Sequence, residues 1–161
     1  MKKLIFATHN ANKVKEVRNQ LIGTYEILGL NDIGFHEEII EDKKTIDENS
    51  IAKVRFVKER TGYDCFADDT GLEVNALNGK PGVFSKRFAG QNANSDDNIN
   101  KLLHMLKEKQ DRSAQFKTVI SLFNNGEIQT FEGICKGNIG FKRSGNFGFG
   151  YDPIFIPENK R

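Results

Sequence analysis

The most constraining feature of the chain is the segment Phe66–Val74, in which two adjacent carboxylates, Asp68 and Asp69, interrupt an apolar run and a hydroxyl, Thr70, follows. Neighbouring like charges repel, so such a pair needs a cation, a basic partner or full solvation. At the end of a strand, the pair can hold a hard cation such as Mg²⁺ and position a water molecule. A solvated turn is the competing interpretation.

A second polar segment begins near the N-terminus. The stretch Lys2–Ala7 is typical of a short strand, and Thr8–Lys13 leads into a helix with an apolar face. A strand, a polar turn and a helix start form an anion site, because free amides and the helix dipole point at the turn. The loop matches neither the P-loop nor the dinucleotide pattern. Alternatively, Asn10 or Asn12 is an ordinary helix cap.

A third segment, Gly145–Pro153, alternates glycines with aromatic residues before Asp152. Glycines let the backbone approach a flat ligand, and aromatic rings offer stacking faces. Asp152 would accept hydrogen bonds from the edge of a base. The alternative is a glycine-rich turn whose rings pack in the core.

Together these segments resemble the Ham1/inosine triphosphatase family of nucleoside triphosphate pyrophosphatases. The resemblance runs from Met1 to about Pro157. Each motif is weak alone, but five in register are specific. The matching residues are Thr8-x-Asn10-x-x-Lys13, Thr45-x-x-Glu48-Asn49-x-x-x-Lys53, Ala67-Asp68-Asp69-Thr70-Gly71-Leu72, Leu77-x-Gly79-x-Pro81-Gly82-Val83-x-Ser85-x-Arg87 and Gly148-Phe149-Gly150-Tyr151-Asp152-Pro153-Ile154-Phe155.

The resemblance implies hydrolysis of ITP, dITP and XTP to the monophosphate and pyrophosphate, with Mg²⁺ as cofactor. It implies that Asp69 is the general base and, with Glu41, a metal ligand. Phe149 and Tyr151 would frame the purine. The implied substrate-binding residues are Thr8, His9, Asn10, Ala11, Asn12, Lys13, Lys53, Thr70, Phe149, Gly150, Tyr151 and Asp152.

Two of these assignments, and a possible role for Arg87, have alternatives. Glu41 lies in an acidic run and would also suit a solvated loop, whereas Lys53 would also suit an ordinary surface lysine. Arg87 would support the phosphates or pair with an acidic neighbour. The three histidines have no spacing that suggests a metal site or a nucleophilic triad.

Local patterns predict a mixed α/β fold. Thr45 and Glu48 predict a helix that ends near Gly62, and Ser95 is expected to cap a further helix. Two short strands, Cys65–Ala67 and Leu72–Val74, are expected around the acidic turn. The Asn125-Gly126 pair predicts a hairpin, so antiparallel strands join the sheet late in the chain. The resemblance implies an elongated, two-lobed fold around a mixed twisted sheet with a central substrate cleft. It also implies a single domain over residues 1–161 and a homodimer.

Composition excludes some partners. A net charge of +2 is too small to argue for nucleic acid or membrane binding. No segment approaches a transmembrane span or a signal peptide, and Cys65 and Cys135 suit reduced core thiols. A cytoplasmic location is expected.

The chain departs from the family pattern after Pro157, where a lysine and a Ser-His-Arg motif that contacts the base would follow. We therefore expect weaker base selectivity. A catalytically impaired nucleotide-binding or dimerisation module is the alternative function. A Maf-type enzyme acting on pyrimidines fits less well, because the segment Phe149–Asp152 matches the purine-handling family.

Overall fold

The computed structural model describes residues 1–145 and 150–158, which contain three α-helices and seven strands. The helices are α1 (Ala11–Gln20), α2 (Ile46–Thr61) and α3 (Ser95–Met105). The strands are β1 (Lys2–Phe6), β2 (Tyr25–Gly29), β3 (Cys65–Val74), β4 (Pro81–Gly82), β5 (Ser113–Asn124), β6 (Glu127–Ile139) and β7 (Phe155–Pro157).

The strands form one mixed sheet in the order β2-β1-β3-β5-β6-β7, with β4 paired to β3 off this path. Strand β1 runs parallel to β2 and to β3, whereas β3–β4 and β6–β7 are antiparallel. Asn125 and Gly126 both have positive φ, 53° and 81°, as the tight hairpin between β5 and β6 requires. The predicted mixed α/β class is therefore confirmed.

The chain divides into two compact units. The first unit comprises Met1–Asp69 and Val119–Glu132, and the second comprises Thr70–Thr118 and the described residues from Gly133 onward. Each unit has its own buried apolar cluster. The first is built on Ile5, Ala7, Leu30, Val54, Val57, Cys65 and Ala67, and the second on Leu72, Val74, Ile99, Leu102, Leu106, Ile139 and Ile154. Whether residues 1–161 fold as a single domain stays a prediction.

Side-chain caps fix where the helices begin. The Asn10 side chain accepts hydrogen bonds at the start of α1, and the Thr45 hydroxyl does so at the start of α2. Helix α2 ends at Thr61, and its C-cap is Gly62, whose φ of 76° suits glycine. The expected cap of α3 was wrong by one residue: Asn94 is the cap, and it shares a reciprocal capping box with Asp97.

The acidic pair lies within a continuous strand and not in a turn, so the prediction of two short strands was wrong. Strand β3 runs through Asp68 and Asp69 without a break. Carboxylates are tolerated there because each has a lysine partner, as described below.

No helix in residues 1–145 and 150–158 is long and apolar enough to cross a membrane.

Candidate functional site

The acidic pair on β3 contacts two lysines from two different helices. Asp68 Oδ2 lies 3.0 Å from the Nζ atom of Lys13, in the first turn of α1. Asp69 Oδ1 lies 3.6 Å from the Nζ atom of Lys53, on α2. The two neighbouring carboxylates therefore have separate basic partners, which offsets their mutual repulsion.

Lys53 connects three acidic or polar groups of the first unit. Its Nζ atom lies 2.5 Å from Glu41 Oε1, 3.6 Å from Asp69 Oδ1 and 2.8 Å from the backbone carbonyl oxygen of Asp68. The Lys53 side chain is 13% exposed and that of Asp69 is 14% exposed. Lys53 is therefore a largely buried and fully engaged cation, which argues against an ordinary surface lysine, and Glu41 is paired, which argues against a purely solvated loop.

Glu41 and Asp69 fit a hard divalent cation. The ammonium of Lys53 already lies within 3.6 Å of a carboxylate oxygen from each, so both side chains reach one positively charged centre. Carboxylate oxygens are the donors that Mg²⁺ takes, usually one or two from the protein with water and phosphate oxygens completing the shell. Among the described residues, no cluster of three His, Cys, Asp or Glu side chains forms a closed metal cage.

The first loop is organised by the cap of α1. The Oδ1 atom of Asn10 accepts hydrogen bonds from the amides of Asn12 and Lys13, at 3.0 and 3.2 Å. The Thr8 hydroxyl accepts one from the amide of Asn10 at 3.1 Å. Asn10 is thus a true cap, as the second interpretation of this loop held. The dipole of the ten-residue helix, which begins at Ala11, and the side chain of Lys13 would attract an anion at this turn.

The His9 side chain is turned toward a neighbouring loop. Its Nδ1 atom lies 3.2 Å from the side-chain oxygen of Asn31, and its Nε2 atom lies 3.0 Å from the carbonyl oxygen of Glu37. The ring stacks on Phe35 with centroids 6.4 Å apart. These contacts tie the first loop to the segment after β2, so the side chain supports the loop within the protein.

In the second unit, Thr70 forms a cross-strand pair. Its hydroxyl lies 2.8 Å from the hydroxyl of Thr118 on β5, and one of the two groups donates to the other. Two hydroxyls that share one hydrogen bond keep one hydrogen for another acceptor. Thr118 was not singled out in the sequence; it lies on β5 two residues after Phe116.

Tyr151 is a buried residue and does not present an exposed ring face for stacking. It is 5% exposed and belongs to the core cluster of the second unit. Its hydroxyl donates a 2.6 Å hydrogen bond to the carbonyl oxygen of Ser85, and burial raises the pKa of the phenol. Tyr151 nevertheless lines a cavity of about 550 Å³, together with Thr70 and Gly150.

Two further predicted residues lie beside this region. Asp152 is exposed and begins the short helical turn Asp152–Ile154. Phe149 lies outside the described residues. Phe116, which the sequence did not single out, lines the same cavity and packs edge-on against Phe155 with ring centroids 4.6 Å apart. An aromatic wall is therefore available from β5.

Arg87 lies in the second unit, where its guanidinium stands 5.1 Å from the centroid of the Phe84 ring. This cation–π contact is one that arginine commonly makes at exposed sites.

Fold and site together define a mixed α/β protein whose first unit carries a carboxylate–lysine cluster and whose second unit carries an aromatic-walled cavity. The family model described as "Ham1 family" matches residues 4–161, and the chain belongs to this family.

Named relatives agree with this assignment. The dITP/XTP pyrophosphatase of Flavobacterium psychrophilum is 55% identical over 155 residues, which cover 96% of this chain and 82% of the relative. The dITP/XTP pyrophosphatase of Bacillus subtilis is 43% identical over 164 residues, and the match covers 99% of this chain and 83% of the relative. Among solved structures, the Staphylococcus aureus Ham1 protein matches with a TM-score of 0.89 at 37% identity, covering 96% of this chain and 80% of that one.

Proposed function

We propose that this chain hydrolyses non-standard purine nucleoside triphosphates, namely ITP, dITP and XTP, to the monophosphate and pyrophosphate. The chain is a nucleoside triphosphate pyrophosphatase by family, and the relatives described above carry the name dITP/XTP pyrophosphatase. The observation that carries the proposal is the convergence of Glu41 and Asp69 on the Lys53 ammonium. Such a cluster suits a highly charged phosphate substrate and its cation.

In the proposed reaction Asp69 acts as the general base. A carboxylate oxygen of Asp69 takes a proton from a water molecule, whose oxygen attacks the α-phosphorus. The bond from that phosphorus to the bridging oxygen breaks, and pyrophosphate leaves with the bond's electron pair. Catalysis of this kind depends mainly on positioning and on charge stabilisation. The 3.6 Å contact with Lys53 supports the assignment because it holds Asp69 in place.

The lysines would bind the triphosphate. Lys13 is paired with Asp68, and Lys53 is paired with Asp69 and Glu41. Phosphate oxygens can exchange with these carboxylates as partners of the ammonium groups. Thr8, His9, Asn10, Ala11 and Asn12 would supply the loop around the phosphates.

Glu41 and Asp69 would hold Mg²⁺ as carboxylate ligands. When bound, the cation supplies charge neutralisation for the phosphates and orients the attacking water. The nucleoside would be contacted in the second unit by Thr70, Gly150, Tyr151 and Asp152, with Phe149 as the predicted stacking residue.

A pyrophosphate-release assay tests the proposal. ITP, dITP, XTP and the four common triphosphates are compared with and without Mg²⁺. We expect pyrophosphate and monophosphate as the primary products, fastest with the three non-standard substrates. Orthophosphate and nucleoside diphosphate as the primary products would contradict the proposed reaction. Tight nucleotide binding without turnover would instead favour an impaired binding module.

Assembly and location form the finer part of the proposal. We propose a homodimer, supported by exposed apolar side chains such as Phe84 and Phe141 in the second unit. Light scattering after gel filtration measures the mass directly. A cytoplasmic location is supported by two free cysteines, which suit a reducing compartment.

A further inference from the structure

The cavity in the second unit is lined by further residues besides the predicted Thr70, Gly150 and Tyr151. Its lining includes the aromatic ring of Phe116, the Thr70 hydroxyl and Tyr151, and it also includes Lys86, Asn94 and Ser95. At about 550 Å³, the cavity is in the range of small-molecule sites and is large enough for a purine base.

Two polar side chains of the lining are already committed to the protein. The Ser85 hydroxyl accepts a 2.9 Å hydrogen bond from the amide of Leu72 and donates to a backbone carbonyl. Asn98 donates to the carbonyl oxygen of Lys86 at 3.0 Å and accepts from a backbone amide. These groups hold the loop that carries Lys86 and leave little capacity for a ligand.

Of the remaining polar side chains, Lys86 and Asn94 offer donors, and the hydroxyls of Thr70 and Ser95 can donate or accept. Lys86 is exposed, it is the only charged residue among the described lining, and its ammonium forms no ion pair with any described residue. The side-chain oxygen of Asn94 accepts a hydrogen bond from the amide of Asp97, which leaves its amide nitrogen for other partners. No carboxylate lines the cavity among the residues described.

We propose that Lys86 is a specificity-determining residue, which donates a charge-assisted hydrogen bond to a carbonyl oxygen of the purine ring. This inference rests on the proposed function and names a group that reads the base. Xanthine carries two ring carbonyls and hypoxanthine one, whereas adenine has none and presents an amino donor instead. A lysine ammonium has three donors and no acceptor, so it favours the first two bases over adenine.

Three variants test this inference. Lys86→Met removes the donor, Lys86→Arg keeps the charge and donors, and Lys107→Met makes the same change at an exposed lysine of the second unit that does not line the cavity. For each we would measure kcat/KM with XTP, ITP and ATP, after circular dichroism confirms the fold.

We expect Lys86→Met to lower the XTP/ATP and ITP/ATP ratios of kcat/KM by roughly 10-fold, as loss of one charge-assisted hydrogen bond in an open site would. The XTP ratio should fall at least as much as the ITP ratio. Lys86→Arg should retain most of the selectivity, and Lys107→Met should equal the wild type.

Failure of this inference is distinguishable from failure of the proposed function. Unchanged ratios in Lys86→Met, or an equal loss with all three substrates, would overturn the role of Lys86 while pyrophosphate release still stood. If the wild type released no pyrophosphate from any substrate, calorimetric titration with IMP, XMP and AMP would test the role of Lys86 in base binding. Equal binding of IMP by the wild type and by Lys86→Met would then overturn the inference, whereas a selective loss of IMP and XMP would support it.

Discussion

Lys13 and Asp68 form an ion pair of 3.0 Å that links the first turn of α1 to the middle of β3. An exposed or half-exposed pair of this kind contributes only about 0.2–1 kcal/mol to stability, so its main effect is on position. Because Asp68 faces Lys13 while Asp69 faces Lys53, the adjacent carboxylates are not equivalent. We therefore expect them to differ in function.

Replacing Asp69 by Asn should reduce kcat much more than the same change at Asp68. Loss of one general base typically costs about 10²–10⁴-fold. Asp68→Asn frees Lys13 from its partner and should alter KM more than kcat. Both variants would be assayed for pyrophosphate release at saturating Mg²⁺ and ITP. A larger loss of kcat in Asp68→Asn would transfer the role of base to that residue.

Replacing Glu41 by Gln should raise the Mg²⁺ concentration needed for half-maximal activity. A neutral amide is a weaker ligand than a carboxylate, so the shift should exceed the roughly 10-fold effect of losing an outer-shell partner. Glu38→Gln, an exposed position in the same acidic run, serves as the control. Chelation of Mg²⁺ should abolish activity in every variant. An unchanged Mg²⁺ requirement in Glu41→Gln would remove Glu41 from the metal site.

Much of the fold could be predicted because local signals were strong. The structure confirms Thr45 as a helix cap and Gly62 as a helix C-cap. It also confirms the tight turn predicted at Asn125-Gly126. The break predicted at Asp68 was wrong because Asp68 and Asp69 have basic partners that are distant in sequence. Lys13 pairs with Asp68 and Lys53 pairs with Asp69, so an uninterrupted strand is tolerated.

The site could be predicted only in part. The family resemblance implied that Glu41, Lys53 and Asp69 belong to one site, but the sequence could not show that one ammonium contacts both carboxylates. Phe116 and Lys86 were missed because a strand aromatic and an exposed lysine are ordinary in isolation. Only tertiary packing brings them to one cavity.

The two cysteines should differ in reactivity. Cys65 is fully buried, and burial raises the pKa of its thiol from 9.0 to about 12, whereas Cys135 is exposed. The expectation that both are core thiols was therefore wrong for Cys135. The thiolate is the reactive form, so Cys65 should be inert in the folded protein. A thiol reagent should modify one cysteine in the native protein and both in denaturant. Modification of both in the native state would show that the core around Cys65 opens readily.

Burial of Cys65 also predicts loss of stability at alkaline pH. The thiol pKa is 9.0 in the unfolded reference and about 12 in the folded protein. Between these values the folded state holds a proton that the unfolded state has lost, so the free energy of unfolding falls as pH rises. Urea midpoints at about pH 8 and about pH 10 measure this slope. Cys65→Ala should flatten it and Cys135→Ala should not; equal slopes in the two variants would assign the effect elsewhere.

Gly137 allows β7 to pair closely with β6. A Cβ atom at this position would collide with the backbone carbonyl oxygen of Ile156 and come within 2.7 Å of the Phe155 ring. Gly137→Ala should therefore destabilise the protein by about 1–3 kcal/mol, as overpacking does. Because β7 directly follows the turn that begins at Asp152, KM for ITP should also rise.

The matched control for Gly137 is Gly133, on the same strand, where an added Cβ would meet nothing within 4 Å. Gly133→Ala should be neutral or slightly stabilising, because alanine has less conformational freedom to lose on folding. Thermal unfolding and ITP kinetics of both variants give the comparison. Equal melting temperatures for the two would mean that β7 can shift away from β6 without cost, and the close strand pairing at Gly137 would then not hold the Asp152 turn in place.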